Sequence, residues 1–106
     1  MAIKIVEYTP GGRSFFAEWF EQLDAVTAAR VDRYLRRLEA GNLSAVKPLR
    51  EGVFEVRMDF GPGYRVYAGW DGRTIVVLLG GGDKRRQAAD IATAIQRWKQ
   101  YKQEKK

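Results

Sequence analysis

The chain has 106 residues, of which 45% are hydrophobic, and it carries a formal net charge of +6. This length predicts a single domain at residues 1–106, and the hydrophobic content excludes a disordered chain. Because cysteine and histidine are both absent, disulfides, thiolate metal sites and histidine bases are excluded, and we expect neither a metal nor another cofactor. No apolar run approaches the roughly 20 residues of a membrane helix, and the N-terminus lacks a signal-peptide core, which predicts a cytoplasmic protein without a membrane partner.

The N-terminal half of the chain predicts a strand followed by two helices. Ile3 and Ile5 alternate with a lysine in the strand, which ends at the turn sequence TPGG. Ser14 is expected to cap the first helix, and Asp24 or Thr27 to begin the second. Apolar side chains recur at helical spacing in both helices and predict an antiparallel helical hairpin. These side chains are Phe16, Trp19, Phe20 and Leu23 in the first helix, and Val31, Tyr34, Leu35 and Leu38 in the second.

Three strands are predicted after a connection at residues 43–52, and the turn sequences GPG and DG join them. The second strand carries Arg65 and Tyr67 on its polar face, whereas Tyr64 is expected in the core. The third, Thr74–Leu79, is apolar on both faces and is therefore expected to be the central, most buried strand. In the first strand Phe54, Val56, Met58 and Phe60 face one side of the sheet, and Glu55, Arg57 and Asp59 face the other.

The glycine run Gly80–Gly82 is expected to end the third strand. It either lets the backbone approach a ligand closely or forms a loose exit turn, and the sequence leaves both readings open. A final helix is predicted from Gln87 to about Tyr101, followed by a basic tail at residues 102–106. Its apolar stripe, expected to pack in the core, consists of Ile91, Ile95 and Trp98.

The predicted fold is α+β, in the order β-α-α-β-β-β-α. In this arrangement an antiparallel sheet is covered on its apolar face by the helical hairpin and the C-terminal helix. Residues 84–106 hold eight Lys or Arg residues and two acidic residues, so this segment carries a charge equal to that of the whole chain. Such a basic segment predicts a polyanionic partner: RNA, DNA or an acidic protein segment. Lys84, Arg85 and Arg86 directly follow a buried strand and are expected to contact phosphate.

The polar face of the sheet carries groups that can cleave RNA without a metal. In that reaction the 2′-hydroxyl of the RNA attacks the adjacent phosphate, guanidinium groups stabilise the phosphorane, and acid and base groups move protons. Arg57 is expected as a phosphate ligand, Glu55 as the general base, and Tyr67 as a proton donor or a stacking surface for a base. The same residues also suit a structural role, in which Glu55 pairs with an arginine and Tyr67 packs in the sheet.

Three sequence segments resemble one known family when taken in order. They are the run LREGVFEVR from Leu49, the run GPGYRVY from Gly61 and the run GGGDK from Gly80. Together they resemble the RelE/ParE superfamily of bacterial toxins, and most of all its phage-derived Gp49-like or HigB-like branch of addiction module killer proteins. The resemblance covers the chain from Tyr8 to about Trp98 and implies a RelE-like fold. It also implies that Arg65 is a catalytic arginine, and that Lys84 or Arg85 acts on the phosphate or the leaving group.

The chain departs from this family at several acid and base positions. RelE itself has lysines where this chain has Glu55 and Arg57, and a C-terminal catalytic tyrosine where the nearest residues here are Gln87 and Asp90. HigB-like nucleases often use a histidine, which is absent here. The resemblance therefore supports the arginines of the site better than its acid and base.

The function that this resemblance implies is that of the toxin of a type II toxin–antitoxin pair. The expected activity is a ribosome-dependent mRNA endoribonuclease that inhibits translation and needs no small-molecule cofactor. The expected partners are mRNA, the ribosome with its rRNA, and a cognate helix-turn-helix antitoxin of the HigA type. Two alternatives remain: a ParE-like inhibitor of DNA gyrase without catalysis, and a catalytically weak RNA-binding remnant of a toxin.

Overall fold

A computed structural model describes residues 2–105 of the chain. The prediction of a domain at residues 1–106 with a basic tail at 102–106 therefore includes two residues, Met1 and Lys106, that lie outside the described range. Short 3₁₀ turns at Pro10–Gly12 and Lys84–Arg86 precede the first and last helices. In chain order, the five strands and three α-helices of residues 2–105 are β1 (Lys4–Glu7), α1 (Phe15–Phe20), α2 (Ala25–Glu39), β2 (Val46–Pro48), β3 (Val53–Arg57), β4 (Arg65–Asp71), β5 (Ile75–Gly82) and α3 (Gln87–Lys105).

The strands form one mixed sheet in the order β1-β5-β4-β3-β2. The prediction of an antiparallel sheet is correct for β2 to β5 but wrong for β1, which runs parallel to β5. A long stretch of chain separates β1 from β5, so no tight hairpin imposes an antiparallel direction on them. The prediction that the third strand of the C-terminal half is central is also wrong. That strand, β5, is interior and buried, but β4 is the middle strand because β1 adds to the outer side of β5.

The edge strand β2 lies within the segment that was predicted to be a plain connection. Its three residues pair antiparallel with β3, with Val46 opposite Val56 and Pro48 opposite Phe54. Proline indicates a break in a helix or an interior strand, but an edge strand tolerates it because its missing N–H can face away from the sheet. The proline was therefore a correct signal against a helix and a misleading one against a strand.

Local capping groups begin the two helices of the hairpin as predicted. The Ser14 hydroxyl accepts a hydrogen bond from the Ala17 amide at 2.9 Å. Of the two candidates for the second cap, Asp24 is the one used, and its Oδ1 accepts from the Thr27 amide at 2.8 Å. Helix α1 is only six residues long, so Leu23 lies in the turn that follows it. On α2 the buried stripe consists of Val31, Leu35 and Leu38.

Helices cover both faces of the sheet, which corrects the prediction of a single covered face. The hairpin α1–α2 packs on one face, and α3 packs on the other because β-strands also supply apolar side chains there. Gly69 of β4 allows α3 to approach closely, since a Cβ at this position would lie 2.6 Å from Trp98 Cε3. The core on the hairpin side contains Ile3, Phe16, Val31, Leu35, Leu38, Phe54, Val56, Met58, Val66, Ala68, Val76 and Leu78. The core on the α3 side contains Tyr8, Val53, Tyr67, Val77, Leu79, Ala94, Ile95 and Trp98.

The glycine run does not end β5, in contrast to the prediction. Gly80–Gly82 continues the strand and pairs with Tyr67, Val66 and Arg65 of β4. A β-bulge interrupts this pairing, because Tyr67 pairs with Gly80 while the next residue, Ala68, already pairs with Leu78. Glycine is needed here because other side chains occupy the space where a Cβ would lie. Within residues 2–105, none of the helices combines the length and the apolar character needed to cross a membrane.

Candidate functional site

Glu55 is the centre of a buried polar cluster on the α3 face of the sheet. Its side chain is fully buried, and its Oε2 accepts hydrogen bonds from Arg57 Nη2 at 2.8 Å and Nε at 3.0 Å. Arg65 Nε lies 3.6 Å from the same oxygen. The other carboxylate oxygen, Oε1, accepts a hydrogen bond from Gln87 Nε2 at 3.1 Å. We call Glu55, Arg57, Arg65 and Gln87 the Glu55 cluster.

Strand register and the start of α3 together create this cluster. Arg57 and Arg65 are directly opposite each other in the β3–β4 pairing, so two positive side chains lie side by side. Like charges at this spacing repel, and a buried carboxylate between them offsets the repulsion. The first residue of α3, Gln87, completes the cluster by donating its hydrogen bond to Glu55 from the helix side of the sheet. Both oxygens of Glu55 are occupied, so in this state its carboxylate holds the two arginines.

Arg65 connects this buried cluster to the protein surface. The whole residue is only 6% exposed, and its Nη1 donates a hydrogen bond to the Gly63 carbonyl at 2.6 Å. Arg65 Nε is buried and makes no hydrogen bond within the described part of the chain. The residue also lines a surface pocket of about 430 Å³ with Asp59, Lys84 and the turn Gly61–Gly63, which we call the loop pocket. An anionic group in the loop pocket would meet a guanidinium, an ammonium and a carboxylate.

A second surface pocket adjoins the loop pocket, and Asp59 lines both. This edge pocket of about 260 Å³ contains Arg37, Lys47 and Arg57 in addition to Asp59. Arg57 is the more accessible arginine of the Glu55 cluster, with 41% of its side chain exposed. Basic side chains therefore extend from the loop pocket to the edge of the sheet, around a single exposed carboxylate.

The basic turn after β5 lies beside these pockets. Lys84, Arg85 and Arg86 are all exposed and form the 3₁₀ turn that leads into α3. Lys84 packs on the loop pocket, where its amide donates to the Pro62 carbonyl at 3.4 Å. Arg85 is paired with Asp83 at 3.1 Å, and this hydrogen bond holds the pKa of the Asp83 carboxyl below its usual range. The three predicted phosphate contacts thus lie together, although Arg86 turns toward a different cavity.

Tyr67 shares the face of Arg65 but lies deeper in the molecule. It is 1% exposed and belongs to the core beneath α3, so its ring offers no free stacking surface. Its hydroxyl is buried and has no hydrogen-bond partner among residues 2–105. Burial raises the pKa of the Tyr67 hydroxyl, and the negative charge of Asp90 adds to the effect, so this group is protonated at neutral pH. The structure therefore groups Glu55, Arg57, Arg65 and Lys84, and places Tyr67 behind them.

Four polar residues of this region were not predicted as site residues: Asp59, Gln87, Asp90 and Arg97. The last three lie on one stripe of α3, at positions i, i+3 and i+10, beside its apolar stripe. This periodicity was available in the sequence, and it indicates a polar helix face turned toward the sheet. Among residues 2–105, no group of three or more acidic side chains is arranged to hold a metal ion.

The fold and site define a small basic α+β protein with a candidate anion site made of arginine, lysine and carboxylate groups. The chain belongs to the family of phage-derived Gp49-like proteins (DUF891), whose family model matches residues 18–99. This is a family of RelE-type addiction module killer proteins, so the resemblance stated from the sequence is confirmed. The chain is also 40% identical over 80 residues to a Haemophilus influenzae protein described as uncharacterized, covering 74% of this chain and 81% of that relative.

Proposed function

We propose that the protein is the toxin of a type II toxin–antitoxin pair and that it cleaves mRNA on the ribosome. The observation that carries this proposal is the loop pocket, in which Arg65, Lys84 and Asp59 surround one surface depression. Membership of a family of addiction module killer proteins supports the toxin role and implies an antitoxin partner. The net charge of +6 supports an RNA partner, because contacts to phosphate dominate the affinity of proteins for nucleic acids.

In the proposed reaction the RNA supplies its own nucleophile. The 2′-hydroxyl attacks the adjacent phosphorus, the bond to the 5′ oxygen breaks, and a 2′,3′-cyclic phosphate remains. Arg65 stabilises the phosphorane, because guanidinium groups offer planar paired donors to phosphate oxygens. Lys84 supplies the proton to the departing 5′ oxygen, since its ammonium is exposed at the rim of the same pocket.

We assign the general base to Asp59 and a positioning role to Glu55. Glu55 is fully buried and already accepts three hydrogen bonds, so it has no free oxygen for a substrate hydroxyl. Asp59 is exposed and lines both the loop pocket and the edge pocket. A base must reach the proton that it accepts, and Asp59 is the carboxylate that meets this condition in the loop pocket.

The remaining basic residues would hold the RNA and the ribosome. Arg57, Arg37 and Lys47 in the edge pocket are suited to the phosphates that flank the cleaved bond. Arg85 and Arg86 are exposed beside the site and are suited to rRNA. The proposed antitoxin is a HigA-like helix-turn-helix protein that blocks this basic surface, because a negatively charged partner on it would exclude RNA.

The test is pulse labelling of protein and DNA synthesis after the chain is produced without an antitoxin. We expect protein synthesis to stop first, with new mRNA ends that map within codons. Failure of DNA synthesis first, with intact mRNA, would instead establish the ParE-like inhibition of DNA gyrase. Normal growth, with no effect on either synthesis, would establish a remnant without toxic activity.

A further inference from the structure

We propose that a cavity between α1, the end of β5 and α3 binds a single nucleobase. This α3 cavity has a volume of about 310 Å³, and it is separate from the loop pocket. This inference rests on the proposed function, because it assumes RNA as the substrate. It adds that the α3 cavity binds one base of that RNA. The side chains on which the inference depends are Trp19, Tyr67, Arg86, Asp90 and Arg97.

An unpaired hydroxyl points to a ligand in this cavity. Tyr67 is 1% exposed, its hydroxyl has no hydrogen-bond partner in the described range 2–105, and the residue lines the cavity wall. A buried polar group without a partner is costly, and nearly all such groups in native proteins are paired with protein, water or ligand. The Tyr67 hydroxyl is therefore an unsatisfied donor in the wall of the cavity.

The glycines at the end of β5 allow polar side chains of α3 to form one wall of this cavity. Strand β1 pairs with β5 only as far as Leu78, so the glycine run beyond it has no strand on that side. A Cβ at Gly80 would lie 2.6 Å from Arg97 Nη1, and a Cβ at Gly82 would overlap the Asp90 carboxylate. Arg97 in turn donates to the Leu79 carbonyl at 2.8 Å, at the bulge. Glycine thus lets Arg97 and Asp90 lie against the strand at the cavity wall.

The charges of the lining favour a neutral polar ligand over a phosphate. Arg86 and Arg97 are balanced by Asp90 and by Glu18, and a phosphate would meet these two carboxylates as well as the arginines. Burial raises the pKa of the Asp90 carboxyl and lowers that of the Arg97 guanidinium, because burial disfavours the charged form of each group. A neutral ring with donors and acceptors along its edge matches such a lining, and nucleobases have this chemistry.

Size and aromatic groups agree with one base. Ligand pockets span about 300–1,000 Å³, so a volume near the lower end of this range suits a single ring system. Trp19 and Phe15 line the cavity, and Arg97 Cζ lies 3.6 Å from the centroid of the Phe15 ring, so one face of each of these two groups is already covered. Aromatic rings and guanidinium planes are the surfaces on which unpaired RNA bases stack.

The experiment is a titration of the purified protein with guanosine, adenosine, cytidine and uridine, followed by backbone amide chemical shifts. We expect shifts at Gly80, Gly81 and Thr93 with at least one nucleoside. Tyr67→Phe should weaken that binding about tenfold, since it removes one buried hydrogen bond. Tyr101→Phe, which removes a hydroxyl bonded to Asp71 at the far end of the sheet, is the matched control and should bind as the wild type does.

The outcomes separate this inference from the proposed function. If no nucleoside shifts these amides at millimolar concentration, the cavity holds water alone and the inference fails, whatever the toxin does. If inorganic phosphate shifts them and nucleosides do not, the assignment to a base is overturned. The titration needs neither ribosomes nor cleavage, so a protein that does not arrest growth can still bind the nucleoside, and a toxic protein can fail to bind it.

Discussion

Glu55 and Arg65 lie on neighbouring strands, and their side chains form a buried ion pair with 3.6 Å between Oε2 and Nε. The same carboxylate oxygen also binds Arg57, so one negative charge holds two guanidinium groups. Arg57 keeps this carboxylate paired when Arg65 is removed, whereas no equivalent group replaces Glu55. Substitution of Arg65 is therefore expected to affect mainly activity, and substitution of Glu55 mainly stability.

Arg65→Ala is expected to abolish growth arrest while the protein remains folded. The substitution removes the guanidinium of the loop pocket, and Glu55 keeps its two hydrogen bonds from Arg57. Growth after induction, together with mapping of mRNA ends, measures the first expectation, and circular dichroism measures the second. Arg73→Ala is the control, because Arg73 is exposed in the turn beyond the far end of β4. Full toxicity of the Arg65 variant would overturn the assigned site.

Glu55→Ala is expected to destabilise the protein by about 3–5 kcal/mol, because removing one partner leaves buried charge without compensation. Arg65, at 6% exposure, would lose its counter-charge, and Gln87 would lose its acceptor. Urea unfolding gives the free energy of unfolding directly. Glu51→Ala is the matched control, since the Glu51 side chain is 48% exposed and pairs with exposed Lys99. Equal stability of the two variants would contradict the structural role of Glu55.

Asp59→Asn is expected to slow mRNA cleavage by about 10²–10⁴-fold, the usual contribution of a general base, without a measurable change in stability. The amide keeps the shape of the carboxylate but does not accept a proton at neutral pH. Cleavage of ribosome-bound mRNA by purified protein measures the rate. The control is Asp32→Asn, an exposed carboxylate on α2 that pairs with Arg36. An unchanged cleavage rate would show that Asp59 is not the general base.

Asp71 is expected to make stability depend on pH on the acid side. Hydrogen bonds from Lys105 and then from Tyr101 hold the pKa of the Asp71 carboxyl below its usual value. The pKa of Asp71 is lower in the folded protein than in the unfolded chain, so ionised Asp71 stabilises the fold. This stabilisation is complete above the unfolded pKa of about 3.9 and is lost as the pH falls through the folded pKa. Urea unfolding from pH 6 to pH 2 of the wild type and of Asp71→Asn measures it.

The difference in unfolding free energy between these two proteins should be largest at neutral pH and should shrink in acid. The comparison is made as a difference because Asp24 and Asp83 also have lowered pKa values and titrate in both proteins. Curves that stay parallel down to pH 2 would show that Asp71 does not hold the end of α3 on the sheet.

Local signals in the sequence predicted the three helices and four of the five strands, but not β2 and not how the elements pack. Ser14 was the predicted cap of the first helix, Asp24 was one of two candidates for the start of the second, and strand alternation placed Glu55 and Arg65 on one face. Alternation tells which side chains share a face, but not whether another element covers that face. The apolar stripe of α3 could pack on either face of the sheet, so the burial of Glu55 could not be predicted from the sequence.

The bulge in β5 could not be predicted from the sequence for a similar reason. Nothing in a run of three glycines indicates that a strand continues, since glycine usually marks the end of one. The pairing becomes clear only when Arg97 and Asp90 of α3 are placed in the space that absent side chains leave free. The sequence offered two readings of the run, a ligand or a loose turn, and the structure places side chains of the same chain against it.

Both described ends of the chain lie at the same end of the sheet, away from Arg65. Lys4 is in register with Ile75, which also pairs with Asp71, and Asp71 binds Lys105 at 2.6 Å. Strand β4 runs for seven residues between Asp71 and Arg65, a distance of roughly 20 Å. Because the chain has no cysteine, one cysteine introduced on the last turn of α3 would be its single thiol. A fluorescent dye attached there would let the arrival of the protein on a ribosome be followed in real time, with the candidate site left uncovered.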